Sequence, residues 1–340
     1  MPKPAGPARA MLGWLGAVAI LGLAAAASLF LGARLLSPVE VLRALTAGDA
    51  STATLVVADL RLPRTLLGVL AGAGLAVAGA VMQGITRNPI ASPSVLGINA
   101  GASFAVVVAV YLFGVTSALG YAGFALLGAA LAAVVAYALA TAGAGPASSP
   151  TRLALAGAVI ATMLSAWTTT VMVLSGRTLE EARHWLAGSL VSRGTDVLAV
   201  SAPLIGFGLL LALGLARGLD ALALGDERAA SLGVHPTRIR LWGALAVVLL
   251  AGASVAAAGP IGFVGLAVPH AVRLVTGGEH ARLLPACALA GPVLLLGADV
   301  FGRLVARPAE LEVGIVTAVI GAPVLIALAR RSDVPAEAGR

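Results

Sequence analysis

From Met11 to Ala33 the chain carries no charged residue, and comparable apolar runs recur along its length. An α-helix needs about 20 apolar residues to cross the hydrocarbon core of a bilayer. Inside that core every backbone amide must be satisfied within its own segment, so runs of this kind fold as spanning helices. Ten spans are expected, near residues 11–33, 65–85, 94–114, 118–141, 153–175, 197–216, 241–258, 261–276, 283–305 and 313–329, the eighth being short and rich in Gly and Pro. Composition agrees. With 59% hydrophobic and 11% charged residues, the chain is far from a soluble globule, where about 25% of residues are charged. The expected fold class is all-α, a polytopic membrane protein forming a single transmembrane domain over residues 1–340.

Forty-two glycines and only 4% aromatic residues predict helices that approach closely through small side chains. Gly68, Gly72, Ala76, Ala80 and Gly84 recur every four residues and line one face of the second span. Cys287 is the only cysteine, which excludes an internal disulfide and a multi-cysteine metal site and leaves it as a small buried apolar residue. No cleavable signal is evident, since Lys3 and Arg9 precede a run long enough to span. Ten spans place both termini on one side. With the termini inside, 13 of the 22 Lys and Arg residues fall inside and 9 outside, which favours this orientation under the positive-inside rule.

The stretch Arg217–Arg240 places Arg217, Asp220, Asp226, Glu227, Arg228, Arg238 and Arg240 between two apolar runs, so it lies in water. Asp226 is expected to N-cap a short helix running from Glu227 to Leu232, with Gly233 at the left-handed C′ position and Pro236 in the first turn of the next helix. Such a segment is either an ordinary solvated loop or an element with a partner. On the opposite side, Ser37, Pro38 and Glu40 predict a capped surface helix. Arg61 and Arg64, in Leu60-Arg61-Leu62-Pro63-Arg64, either snorkel toward headgroups or form a landing site for acidic groups.

After Gln83 come Arg87-Asn88-Pro89-Ile90-Ala91-Ser92-Pro93. Two prolines there prevent regular helix and leave backbone groups unpaired at the membrane face, as a tight turn or as the lining of a gate. Ala251–Gly259 echoes Gly72–Ala80, and both precede Gly/Pro-interrupted segments, which suggests two weakly related halves. His270, between Pro269 and Arg273, has no carboxylate at metal-ligand spacing.

RLPR (61–64), GLAVAGAVMQGITRNPIASPSVLGINAGAS (74–103), HWLAGSL (184–190), GDERAASLGV (225–234), AGPIGFVGLAVPHAVR (258–273), LLPACALAGPVLLLGADVFGR (283–303) and VGIVTAVIGAPV (313–324) occur in an order that resembles the FecCD-type permeases. These are membrane subunits of ABC importers for iron-siderophores, haem and cobalamin, the cobalamin importer permease among them. The resemblance covers nearly all of the chain from Arg61 to Arg330. It implies a second permease subunit, identical or homologous, two ATP-binding subunits and an extracytoplasmic substrate-binding protein, in the cytoplasmic membrane. The residues that match the family's ATPase-coupling helix are Gly225, Asp226, Glu227, Arg228, Ala229, Ala230, Ser231, Leu232 and Gly233, within a coupling segment 217–240. Those that match its inner gate are Asn88, Pro89 and Ile90, where the family more often has leucine third. Arg61, Arg64 and Arg303 match arginines that receive carboxylates of the binding protein. Arg303 also lies four residues after Asp299, at helical ion-pair spacing. Glu312 stands where the family usually has proline, which is expected to add negative charge beside those arginines.

There is no GxxxxGK[ST], and Lys3 is the only lysine, so ATP is expected on a partner chain and no cofactor or metal on this one. The absence of HExxH and of a serine nucleophile elbow speaks against a membrane enzyme with catalytic residues. A secondary transporter would keep ionisable groups in mid-membrane, and Asp299 alone lies well within a span, with Arg303 to neutralise it. The pI near 10.9 comes from arginines spread over short loops rather than gathered in a patch, so no nucleic-acid partner is expected, only lipid.

Overall fold

The structure, a computed structural model, describes residues 7–32, 36–46, 51–142, 150–191, 194–307 and 309–332. In chain order it comprises α1 (Pro7–Phe30), α2 (Pro38–Thr46), the single turn α3 (Thr52–Thr54), which runs through a π-helical stretch (Leu55–Arg61) into α4 (Leu62–Thr86), and a 3-10 turn (Pro93–Leu96). There follow α5 (Ile98–Phe113), α6 (Ala118–Thr141), α7 (Pro150–Leu174), α8 (Gly176–Leu186), α9 (Thr195–Gly214) and α10 (Ala216–Ala223). The last five are α11 (Asp226–Ser231), α12 (Pro236–Ala258), α13 (Val264–Thr276), α14 (His280–Val305) and α15 (Val313–Ser332). The described residues contain no strand. Among the described residues, seven helical stretches are long and apolar enough to cross a membrane, and α5, α13 and Val313–Pro323 of α15 are shorter apolar helices. Each of the ten expected spans therefore coincides with an apolar helix.

The bundle is built around α4. Every residue from Ala71 to Thr86 is buried, and 83% of the most apolar 18 residues within Thr52–Thr86 are buried, against 6% of the corresponding stretch of α1; α1 is thus peripheral and α4 is the core. In a bilayer no hydrophobic effect drives helices together, so contact depends on how closely backbones can approach. The small-residue face of α4 packs on α14. A Cβ on Gly72 would lie 2.7 Å from the backbone of Pro292, and one on Gly291 would lie 2.7 Å from Ala76. On another face, a Cβ on Gly79 would fall 1.8 Å from the Gly265 carbonyl of α13. No side chain fits there without separating the helices.

The echo between Gly72–Ala80 and Ala251–Gly259 marks the two innermost helices, since Leu250–Ala258 of α12 is also continuously buried. The interruption after α4 and the one at 259–263 fall at opposite ends of the bundle, as an inverted repeat would place them. The second interruption, with Gly259 at φ 76° and Phe263 at φ 66°, shortens the eighth span so that α13 begins only at Val264. At the surface, Ser37 and Glu40 form the expected reciprocal cap of α2: Ser37 N–H donates to Glu40 Oε2 at 2.7 Å and Glu40 N–H to Ser37 Oγ at 3.3 Å. Cys287 is fully buried.

Candidate functional site

Charge in this bundle gathers at its two ends. At one end, the stretch 217–240 folds into α10, α11 and the first turns of α12 rather than a loop. Gly225, at φ 105°, turns the chain sharply and is itself the N-cap of α11. Asp226 was expected in that role; it is instead the first helical residue, because its carboxylate is held elsewhere. The far end of α11 closes as the sequence predicts. Gly233 takes φ 79°, its N–H donates to Ala230 O at 3.0 Å and Val234 N–H to Ala229 O at 3.0 Å, the paired bonds of a Schellman motif. Pro236 opens α12. Ala229 is buried beneath the helix, while Glu227, Arg228, Ala230, Ser231 and Gly233 face outward, flanked by Leu224 and Leu232 at 53% and 63% exposure. Charge, small side chains and exposed leucine together make a surface suited to a protein partner.

Asp226 fastens this helix. Arg240 of α12 grips it in a fork, Nη1 to Oδ2 at 2.9 Å and Nη2 to Oδ1 at 2.8 Å, and Arg87 Nη2 approaches Oδ1 at 3.4 Å. The hydrogen bonds from Arg240, reinforced by its charge and that of Arg87, hold the Asp226 carboxyl below the usual carboxylate range against the opposing effect of partial burial. Arg87 is the C-cap of α4, in the left-handed region at φ 50°. It leads directly into Asn88-Pro89-Ile90, all exposed. Asn88 Oδ1 accepts from Ile90 N–H at 3.0 Å, and the Asn88 carbonyl accepts from Ala91 N–H at 3.2 Å. This is an Asx turn, in which the Asn88 side chain takes the backbone N–H two residues on. The residues matching a gate and those matching a coupling helix, far apart in sequence, are therefore joined through Asp226.

Two further contacts brace the same end. Asp220 of α10 accepts from His280 N–H at 2.9 Å and from its Nδ1 at 2.7 Å. The imidazole lies on Gly84 of α4, where a Cβ would meet Nε2 at 2.8 Å. Arg273 donates to Gln83 Oε1, and Gln83 Nε2 donates to the Gly265 carbonyl at 3.4 Å. His270 is half-buried on α13.

At the opposite end Arg61, Arg64 and Arg303 do converge, but inward. Asp299, 1% exposed, pairs with Arg303 at 2.8 Å and with Arg64 at 2.7 Å, confirming the helical pair between Asp299 and Arg303. Arg303 also donates to the Ser28 carbonyl at 3.0 Å, the Leu31 carbonyl at 3.1 Å and Ser28 Oγ at 2.9 Å. Arg61 donates to the carbonyls of Leu29 at 2.8 Å and Phe30 at 3.1 Å, and Arg307 to that of Gly32 at 2.7 Å. The last carbonyls of α1 lack intrahelical partners, and these arginines supply them where the helix dipole also favours a cation. Arg61 and Arg303 are 6% and 2% exposed, so they cap α1 rather than present charge at a surface. Arg64 keeps a partly exposed edge and reaches Glu310 at 2.7 Å. The acid beside the arginines is thus Glu310. Glu312 turns away to His184 Nδ1 of α8 at 3.3 Å, correcting the expectation that its charge would lie against them.

Sequence reading passed over Arg87, Arg240, Asp220 and His280 as members of one assembly. The available signal was weak: a cation near each proline-marked turn, and one acid within α10 and another at the start of α11.

These features define a multi-pass helical membrane protein whose aqueous end presents an ordered helix tied to a turn at the foot of its central span. The FecCD transport family matches residues 20–331, and the chain belongs to that family. It is 43% identical over 316 residues to the ferric enterobactin transport system permease protein FepD of Escherichia coli (strain K12), covering 93% of this chain and 94% of that one. It is 42% identical to the Fe(3+)-citrate import system permease protein YfmD of Bacillus subtilis (strain 168), covering 89% and 90%, and 44% identical to the cobalamin import system permease protein BtuC of Halobacterium salinarum, covering 85% and 77%. Among solved structures, a transporter assigned to the metal-chelate type of ABC transporter, in an inward-facing conformation, superposes with a TM-score of 0.82 at 28% identity, covering 93% of this chain and 98% of that one.

Proposed function

We propose that this chain is the permease subunit of an ABC importer that carries a metal chelate, of the ferric-siderophore, ferric-citrate or cobalamin kind, into the cytoplasm. It works as a pair of permease subunits with two ATP-binding subunits and an extracytoplasmic binding protein, in the cytoplasmic membrane with both termini inside. ATP is bound and hydrolysed by the partner, and this chain binds no cofactor. The observation that carries the reading is the exposed helix α11, residues 226–231 within the coupling segment Gly225–Gly233, fastened through Asp226 to the turn at Asn88-Pro89-Ile90. ATP-driven closure of the partners pushes on α11, and the turn at the foot of α4 shifts with it, switching the pathway between outward and inward access. At the other end, Arg64 is the docking arginine with a partly exposed edge, and Arg61 and Arg303 support it from beneath.

The test uses Ala230, exposed at the centre of α11. Ala230→Arg is expected to release the ATPase or to uncouple hydrolysis from uptake in proteoliposomes, with insertion unchanged. Normal assembly and uptake in this variant would overturn the coupling role. The purified chain alone is expected to show no ATPase activity, and turnover at the rate of the full complex would overturn the importer reading.

A further inference from the structure

We infer that Arg87 is the positioning residue that makes the turn Asn88-Pro89-Ile90 travel with α11 as one body, an inference that rests on the coupling reading above. Three observations point to it. First, the two cations on Asp226 are not equivalent. Arg240 is 11% exposed and holds both carboxylate oxygens, so α11 and the start of α12 move together; Arg87 is 40% exposed and makes a single contact at 3.4 Å. The bond from the turn is the weaker and wetter of the two.

Second, α4 is gripped twice by this end of the molecule. The buried His280, held by Asp220 of α10, lies on Gly84, and Arg87 reaches Asp226 three residues later. A displacement of α11 has a buried pivot at Gly84 and an exposed lever at Arg87, whose next residue is Asn88.

Third, Arg87 is a non-glycine residue at φ 50°, in a conformation that a glycine would adopt without steric cost and that helix ends usually reserve for it. A glycine could close the helix but could not reach Asp226. The guanidinium, passing Gly225 where a Cβ would be 3.8 Å from Nη1, is what the position provides beyond a cap.

The experiment uses the assembled transporter in lipid discs, with nitroxide labels at Ile90→Cys and Thr237→Cys in a Cys287→Ala background, read by pulsed electron resonance with and without ATP. With Arg87 present, the distance between turn and α12 is expected to stay single-valued as nucleotide is added. In Arg87→Gln it is expected to shift or split on ATP addition while hydrolysis continues, and Arg87→Lys is expected to restore one distance. Arg87→Gly separates the side chain from the cap: it is expected to fail as Arg87→Gln does, whereas a purely structural cap would leave it at the parent distance. A parent distance that changes with ATP, or an Arg87→Gln distance that does not, overturns the inference. Ala230→Arg is measured beside them. If it leaves both ATPase assembly and uptake normal, the coupling reading falls and this inference with it; if it releases the ATPase or uncouples while Arg87→Gln behaves as the parent, only the role of Arg87 falls.

Discussion

The two charged ends of this bundle use the same residue types to opposite effect. At the end holding Arg61, Arg64 and Arg303, each guanidinium meets helix-terminal carbonyls or a carboxylate, and Asp299 is 1% exposed between two of them. At the end holding Arg87, Asp226 and Arg240, one carboxylate is 35% exposed and shared unequally by two arginines from different elements. A buried network has one good arrangement, because losing any partner leaves an uncompensated charge in a low-dielectric setting. A half-exposed contact can open, because water replaces what it loses. The first end is built to hold its shape and the second to change it.

The comparison is most severely tested at Asp299. Asp299→Ala leaves Arg303 buried with no carboxylate and strips Arg64 of its deeper partner, so a loss of about 3–5 kcal/mol is expected, seen as poor insertion or a lowered unfolding temperature in detergent. Stability equal to the parent would mean that this end is not a closed network. Arg61→Gln is a smaller step at the same end. It removes a charged donor from the carbonyls of Leu29 and Phe30, and a loss of about 1.5–3 kcal/mol is expected in the same measurement.

At the other end the expected loss of stability is smaller although the effect on function is larger. Asp226→Asn is expected to lower stability by no more than about 1 kcal/mol, since the carboxylate is a third exposed and solvent screens it. Its pH dependence has a definite sign. The folded-state pKa of Asp226 is depressed, so its stabilising effect is fully present above the ordinary carboxylate value of about 3.9 and is lost as pH falls through the lower folded value. Hydrogen exchange of α11 amides, measured as the ratio between parent and Asp226→Asn, is expected to be flat from neutrality down to about pH 5 and to approach unity only in stronger acid. A ratio that changes near pH 7 would place the contact under another group.

Much of this was legible in the sequence where the signal is local. Apolar length located ten spans, the four-residue stripe from Gly68 to Gly84 marked the α4 face that meets α14, and Ser37, Gly233 and Pro236 acted as their types predict. What stayed hidden depends on which chain ends meet. Nothing in Ala26-Ala27-Ser28-Leu29-Phe30 says that its carbonyls need capping by residues 61, 303 and 307, because orphan carbonyls are a property of any helix end and carry no side-chain mark. Asp226 was misread as an N-cap for a related reason. An acid before a short helix suits that role, and only the fold shows Arg87 and Arg240 near enough to claim it. The pairing of Glu310 with Arg64, and of Glu312 with His184, depends on how the chain leaves α14, which two acids separated by one residue do not encode.

Glu312 offers the mildest test of the contrast, because it lies near the closed end without belonging to it. Its carboxylate pairs with the side chain of His184, which is 70% exposed, and an exposed pair of this kind contributes at most about 1 kcal/mol. The backbone role of the residue is as an acceptor: its carbonyl receives the N–H groups of Ile315 at 3.0 Å and Val316 at 3.3 Å, opening α15. Proline keeps a carbonyl and favours the start of a helix. Glu312→Pro, which installs the residue more usual in the family, is therefore expected to change stability by less than about 0.5 kcal/mol and to leave the network around Asp299 intact, as thermal unfolding beside Asp299→Ala would report. If Glu312→Pro instead destabilised the chain as Asp299→Ala does, the closed network would extend to α8 and the boundary drawn between Glu310 and Glu312 would be misplaced.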